Sequence, residues 1–320
     1  MPEGVIAFNI KGYDGFIDFI KAYAILCVLF GHTFGPYLDQ VAYGVWAGMQ
    51  VPLFILIQTF HGFKKDKVTV NLPKVFKRVL LPFSLLEITT FVIAFCIGRY
   101  DLHTLLRMAL GGGFGPGAYF PWVYVQIAIL LPLFAYLLKN CGKILSLIIF
   151  LLICEGSELF FSFVGIPENL YRLLAMRYVF LIYLGWLWVR EGIVINWLTI
   201  LLSLFSLAAI IYFEYYSVDD EPWFFTTGFS THRWPCYFFV AYGFSMVLHV
   251  LWKALSRNEM AIRGIRILSA SSYEIFLVQM SLIFLLPSDT MGYGYWVATV
   301  WVLSILGGIL LNRMIRPKSM

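Results

Sequence analysis

About ten stretches of roughly twenty mainly apolar residues take up most of this chain, and they leave few folds open to it. Their approximate limits are 16–37, 42–61, 76–98, 119–138, 143–162, 172–190, 194–213, 236–254, 267–286 and 294–315. A run of that length can cross the ~30 Å hydrocarbon core of a bilayer as a helix. A helix also satisfies its backbone hydrogen bonds internally, where lipid offers none. Of the 320 residues, 61% are hydrophobic and 13% charged, against about 25% charged in a soluble domain. The expected fold is all-α: a polytopic membrane protein of about ten transmembrane helices in one bundle. No stretch between the runs is long enough for another folded unit, so residues 1–320 are expected to form a single integral-membrane domain.

The connections set the expected orientation. Lys64, Lys65, Lys67 and Lys74 fill one loop, and Lys77 and Arg78 follow it. Lys139 and Lys143, then Lys253, Arg257, Arg263 and Arg266, then Arg313, Arg316 and Lys318 occupy others. With ten spans and both termini cytoplasmic, all of these fall on one side. Glu155, Glu158, Glu168, Asp219, Asp220 and Glu221 fall on the other. That is the positive-inside pattern. The net charge of +5 is then a property of loops facing lipid headgroups and gives no reason to expect nucleic acid. The first run follows about fifteen mixed residues without a small-residue cleavage site, as in an uncleaved signal anchor.

Several chemistries find no support. The five cysteines (Cys27, Cys96, Cys141, Cys154, Cys236) show no CxxC or Cys/His spacing, so neither a disulfide framework nor a metal site is expected. Gly111 to Gly117 (GGGFGPG) lacks the lysine of a phosphate loop. No internal repeat of the kind found in inverted-repeat transporters is visible.

Two ionisable residues stand out in the first run. Lys21 and His32 are eleven positions apart, which returns the second side chain to within about 20° of the first, roughly 16 Å along the axis. Ionisable groups inside a membrane are costly and therefore functional candidates. His32 suits proton abstraction from a hydroxyl near neutral pH; the plain structural alternative is a histidine bonded to a neighbouring helix. Lys21 suits an anionic ligand arriving from the cytoplasm, with Asp18 three residues earlier to orient it; its plain alternative is snorkelling to the headgroups. Lys74, Lys77 and Arg78 cluster where phosphates would arrive, or are ordinary positive-inside charge. Glu87 inside the third run, Arg177 in the sixth and Glu274 in the ninth are buried-pair candidates. His61 reads as interfacial, and His232 and Arg233 lie in the outer loop before the eighth run, where they meet a sugar or merely solvent. Trp122 and Trp234 belong to the aromatic belt or stack on a sugar.

The order of motifs resembles the membrane acyltransferase 3 family. DFIKAYAILCVLFGH (Asp18 to His32) is similar to that family's first-helix signature, with Lys21 where the family has arginine. VPLFILIQTFHGF (Val51 to Phe63) is similar to its second helix, with His61 in place of serine. FKRVLLPF (Phe76 to Phe83) matches its basic stretch at Arg78 and Pro82. PWVYVQIAILLPLF (Pro121 to Phe134) and ASSYEIFLVQMSLIF (Ala270 to Phe284) resemble two later motifs, the last with Gln279 at a histidine position.

This resemblance implies an integral-membrane O-acyltransferase. It would move an acyl group, acetyl in the common case, from cytoplasmic acyl-CoA to a hydroxyl of a sugar in a surface glycan or its lipid-linked precursor. It implies catalysis by His32 and donor binding by Lys21, Arg78, Asp18 and Lys77. Glu87, Arg177, Trp122, Tyr273 and Gln279 are supporting candidates. Acyl-CoA, acetyl-CoA in the common case, is implied as a donor substrate, with no permanently bound cofactor and no metal. The expected location is a bacterial cytoplasmic (inner) membrane. Buried His, Glu and Arg would equally serve a proton-coupled transporter or flippase, which stays open as the rival.

Overall fold

The computed structural model describes residues 6–8, 15–37, 39–46, 48–65, 67–215 and 233–316. Eleven principal helices organise them: α1 (Gly15–Phe34), α2 (Gln50–Phe63), α3 (Leu81–Cys96), α4 (Phe120–Asn140), α5 (Lys143–Phe163), α6 (Val179–Glu191), α7 (Trp197–Tyr215), α8 (Ser245–Leu255), α9 (Glu259–Ala270), α10 (Ser272–Leu285) and α11 (Tyr293–Ile315). Strand β1 (Ile6–Phe8) pairs antiparallel with β2 (Ile193–Ile195), in register Ile6 with Ile195. Asp219, Asp220, Glu221 and His232 lie outside the described residues.

The protein is an all-α polytopic membrane protein, and its helices face lipid in the sense that composition demands. On α7, Thr199, Ser203 and Ser206 are buried while Leu198, Leu201, Leu204 and Phe205 are exposed. On α11, Ser304 and Gly308 turn inward and Leu303, Leu306 and Leu310 outward. Small and weakly polar residues at helix contacts, with large apolar ones outside, are the pattern of a bundle solvated by hydrocarbon. The close approach is specific: a Cβ on Gly308 would sit 2.5 Å from the Ile275 backbone of α10.

Among the described residues, eight helices are long and apolar enough to cross a membrane, or nine if α9 and α10, bent by 64° at Ser271, form one span. The sequence led us to expect ten. The difference lies at 172–190, which breaks into a short turn of helix at Glu168–Tyr171, a 3₁₀ turn at Ala175–Tyr178, and α6. At about 1.5 Å per residue, the 13 residues of α6 reach only about 20 Å. Phe180, Leu181 and Ile182 are all fully buried, so α6 is an interior helix. It packs along α2, with Gly185 seated against the Thr59 hydroxyl. A run apolar on every side satisfies the hydropathy criterion for a span equally well.

Helix α1 is the other interior element. Ile17, Ile20, Ala24, Ile25 and Leu29 are fully buried, and α2, α9 and α10 pack on it. The polypeptide therefore holds Lys21 and His32 at the centre of the bundle.

Candidate active site

The Lys21 end of α1 opens on a cavity of about 570 Å³. Lys21, Lys65, Lys74, Arg78 and Arg316 line it together with His61, and no carboxylate does so among the described residues. A preorganised ring of cations around a water-accessible space favours an anion.

Local backbone features place these groups. Residues Phe76–Leu80 form a π turn, closed by the Leu81 N–H donating to the Phe76 carbonyl, and Pro82 follows. Proline has no N–H to continue the ordinary ladder, and a π turn absorbs the extra residue. Lys74 and Arg78 both reach the cavity, while Lys77 is exposed and is not among the lining residues. The bend at Ser271 supplies the opposite wall through Ser269, Ala270, Ser272 and Tyr273. The Tyr273 hydroxyl donates to the Val79 carbonyl at 3.0 Å, tying that bend to the π turn. Glu274, fully buried, receives Arg316 at 2.8 Å and the Asn312 amide at 3.1 Å. Asn312 also donates to the Ala270 carbonyl at 2.9 Å. Arg316 is thus held at the cavity by an acid from α10. Asp18 accepts from the Ser269 hydroxyl at 2.7 Å.

The inner end of the cavity is apolar. Val28, Val51, Phe54, Phe120 and Phe276 line it, and the Phe120 ring lies 5.9 Å from Phe54 and 5.7 Å from Phe276. Phe276 also packs on Gly117. A Cβ there would come within 2.8 Å of the Phe276 ring and 3.8 Å of His32 Cε1, at a φ of +88°. The glycine-rich segment needs its glycines because backbone passes directly over these side chains. A Cβ on Gly115 would likewise collide with the Met280 carbonyl of α10.

His32 sits beyond Phe276, with Nδ1 2.8 Å from the Gln279 amide nitrogen. The next residue, Thr33, fixes this end of α1: its carbonyl accepts from the Tyr293 hydroxyl at 2.5 Å, and its hydroxyl from the Trp301 indole at 3.1 Å. Glu87 accepts from the Phe114 N–H at 2.9 Å, and Trp122 donates to the Gly112 carbonyl at 2.8 Å. Both therefore anchor the glycine-rich segment.

Arg177 is elsewhere. Its guanidinium lies 3.7 Å from Glu158 and over the Tyr171 ring at 4.9 Å. Arg233 reaches the same carboxylate at 3.6 Å. Trp234, a belt candidate from sequence, donates to Glu155 at 2.9 Å. None of these residues lines the cavity.

Among the site candidates, the structure brings Lys21, Arg78 and Tyr273 to one cavity and Gln279 to His32. It also adds Lys65 and Arg316, which the sequence marked only as loop charge. The buried acid Glu274 was the one signal that could have pointed to Arg316 as its partner. Among the described residues, no group of three or more His, Cys, Asp or Glu side chains could hold a metal ion.

No curated protein and no solved structure matches this chain. A family model described as an acyltransferase domain does, over residues 14–312, a span that takes in Lys21, His32, Arg78 and Gln279. The protein belongs to the acyltransferase 3 family and is a membrane acyltransferase.

Proposed function

We propose that residues 1–320 act as one unit that transfers an acyl group, acetyl in the simplest case, from acyl-CoA to a sugar hydroxyl of a surface glycan or its lipid-linked precursor. In this reading α6 and the turn before it return the chain across the bundle, with Arg177 against Glu158 near one end of α5 and Glu191 against Lys143 at the other; both termini then face the cytoplasm of a bacterium, and the cavity mouth opens there. One observation carries the reading. The cavity runs from a set of cations, Lys21, Lys65, Lys74, Arg78 and Arg316, to the aromatic face of Phe276, and Phe276 shares Gly117 with His32. That polarity suits a donor with phosphates at one end and a thioester at the other.

The chemistry follows from the residues. The cations hold the donor's phosphates by charge-assisted contacts. The acyl end lies along Phe54, Phe120 and Phe276. His32 takes the proton of the acceptor hydroxyl; the oxygen attacks the thioester carbonyl; the carbon–sulfur bond breaks; and the thiolate leaves with the proton. Lys21 supplies charge where arginine would supply a fork.

The test is transfer from radiolabelled acetyl-CoA to a glycan precursor in proteoliposomes, with thermal stabilisation by CoA on the same preparation. Saturation at about 100 times Kd should add about 2.7 kcal/mol to apparent stability. Stabilisation should weaken with added salt. A protein that CoA leaves unstabilised, and that moves a solute without transferring label, would establish the transporter instead.

A further inference from the structure

Gln279 is one of the buried polar side chains that the transfer scheme does not use. Gln279 lies in the middle of α10, fully buried between Leu277 and Met280, which are also fully buried. Its amide nitrogen is 2.8 Å from His32 Nδ1, and its carbonyl oxygen Oε1 has no hydrogen-bond partner among the described residues. A buried amide oxygen left unpaired costs about 1–3 kcal/mol. Methionine would fill the same length of apolar space without that cost.

We propose that Gln279 is the positioning residue of His32. It holds Nδ1, so that Nε2 is the nitrogen that exchanges protons, and the end of the amide that faces the ring selects the tautomer. The proposal rests on the transfer reading for its catalytic consequence, and on geometry alone for the tautomer.

Neutral imidazole carries its proton on one nitrogen only. With the amide N–H donating to Nδ1, that proton is on Nε2, where it cannot accept another. Half a turn of the terminal amide brings Oε1 to the ring instead. Oε1 then accepts from Nδ1–H, and Nε2 presents a lone pair. The oxygen gives up no hydrogen bond in turning. From this state the proton count closes. The acceptor hydroxyl gives its proton to Nε2 as the new carbon–oxygen bond forms. The carbon–sulfur bond breaks, and Nε2 passes the proton to the leaving thiolate. The Nδ1–H stays on the ring and hydrogen-bonded to Oε1 throughout, which stabilises the imidazolium while it carries both protons. A partner that fixes the far nitrogen of a catalytic imidazole is what sets its tautomer in other proton-transfer sites.

The experiment uses the full-length protein, labelled with ¹⁵N-histidine and reconstituted in bilayers. Magic-angle-spinning spectra report which ring nitrogen is protonated, and His32 is the signal lost in His32→Asn. Gln279→Met should change the His32 nitrogen shifts and lower kcat about tenfold to a hundredfold, with the KM for acetyl-CoA within about twofold. Gln279→Glu, an acceptor of the same length, should place the proton on Nδ1 and recover most of kcat. Parental His32 shifts in Gln279→Met would overturn the proposal whatever the activity. Equal kcat losses in the Met and Glu variants would also overturn it, because a merely structural glutamine predicts that result. If the parent itself transfers nothing while the shifts respond as stated, the positioning role stands and the transfer reading falls.

Discussion

The cations around the cavity and the cations around Glu158 face different things. Lys65, Lys74 and Arg78 point into open space at the mouth of a 570 Å³ cavity with no lining carboxylate among the described residues. Arg177 and Arg233 instead close on one carboxylate, with side chains only 1% and 6% exposed. Aromatic rings flank both, Tyr171 under one guanidinium and Phe213 under the other. The first set is arranged for a charge that arrives from outside. The second joins α5, the turn before α6 and the stretch before α8 through a charge the protein supplies itself. A buried cation in a membrane helix marks function only after its partner is known.

The comparison can be broken by mutation, and the largest effect is expected at neither set of cations. His32→Ala should lower transfer by about 10²–10⁴-fold while CoA still stabilises the protein, because the cations lie at the far end of the cavity. Near-parental turnover in a folded His32→Ala protein would make His32 structural. Next comes Glu158→Ala, which removes the carboxylate that two buried guanidiniums share. Breaking such a pair costs about 3–5 kcal/mol. Thermal unfolding should shift accordingly, and the fraction that stays folded should bind CoA with parental affinity. A selective loss of CoA affinity with unchanged stability would erase the distinction drawn between the two regions.

Smaller effects sharpen it. Lys21→Ala should weaken CoA binding by about 1.5–3 kcal/mol, roughly ten- to a hundredfold, with Lys21→Arg retaining it. Isothermal titration would read this directly, and parental affinity in Lys21→Ala would remove Lys21 from the donor site. The smallest effect separates neighbours. Arg78→Ala should weaken CoA several-fold, whereas Lys77→Ala should stay within about twofold, as expected of a solvated surface charge. Equal losses would mean that the π turn does not sort the two side chains as the lining residues indicate.

The π turn also shows where linear reasoning stops. Lys74, Lys77 and Arg78 look alike in sequence, and all three read as donor contacts or positive-inside charge. Their sorting depends on one residue of register absorbed before Pro82. Segment 172–190 forms a shorter helix than its hydropathy suggests, for a related reason. Hydropathy cannot tell lipid from protein interior, so α6, buried against α2, scores like a span. Gln279 meets His32 across 247 residues, and no periodicity along either helix announces that meeting.

The sequence by itself determined the material of this protein: apolar helices in a bilayer, Lys21 and His32 on one face of the first of them, and motifs in the order of an acyltransferase family. Hydropathy and the helical repeat are local quantities, so a local reading recovers them. The tertiary structure decided which faces meet. Gly308 lets α11 approach the backbone of α10, Gly185 seats α6 against Thr59, and the bend at Ser271 swings one wall of the cavity toward Arg78. Those contacts are steric matches between residues far apart in the chain. They alone bring Arg316 to the cavity and Gln279 to the imidazole of His32.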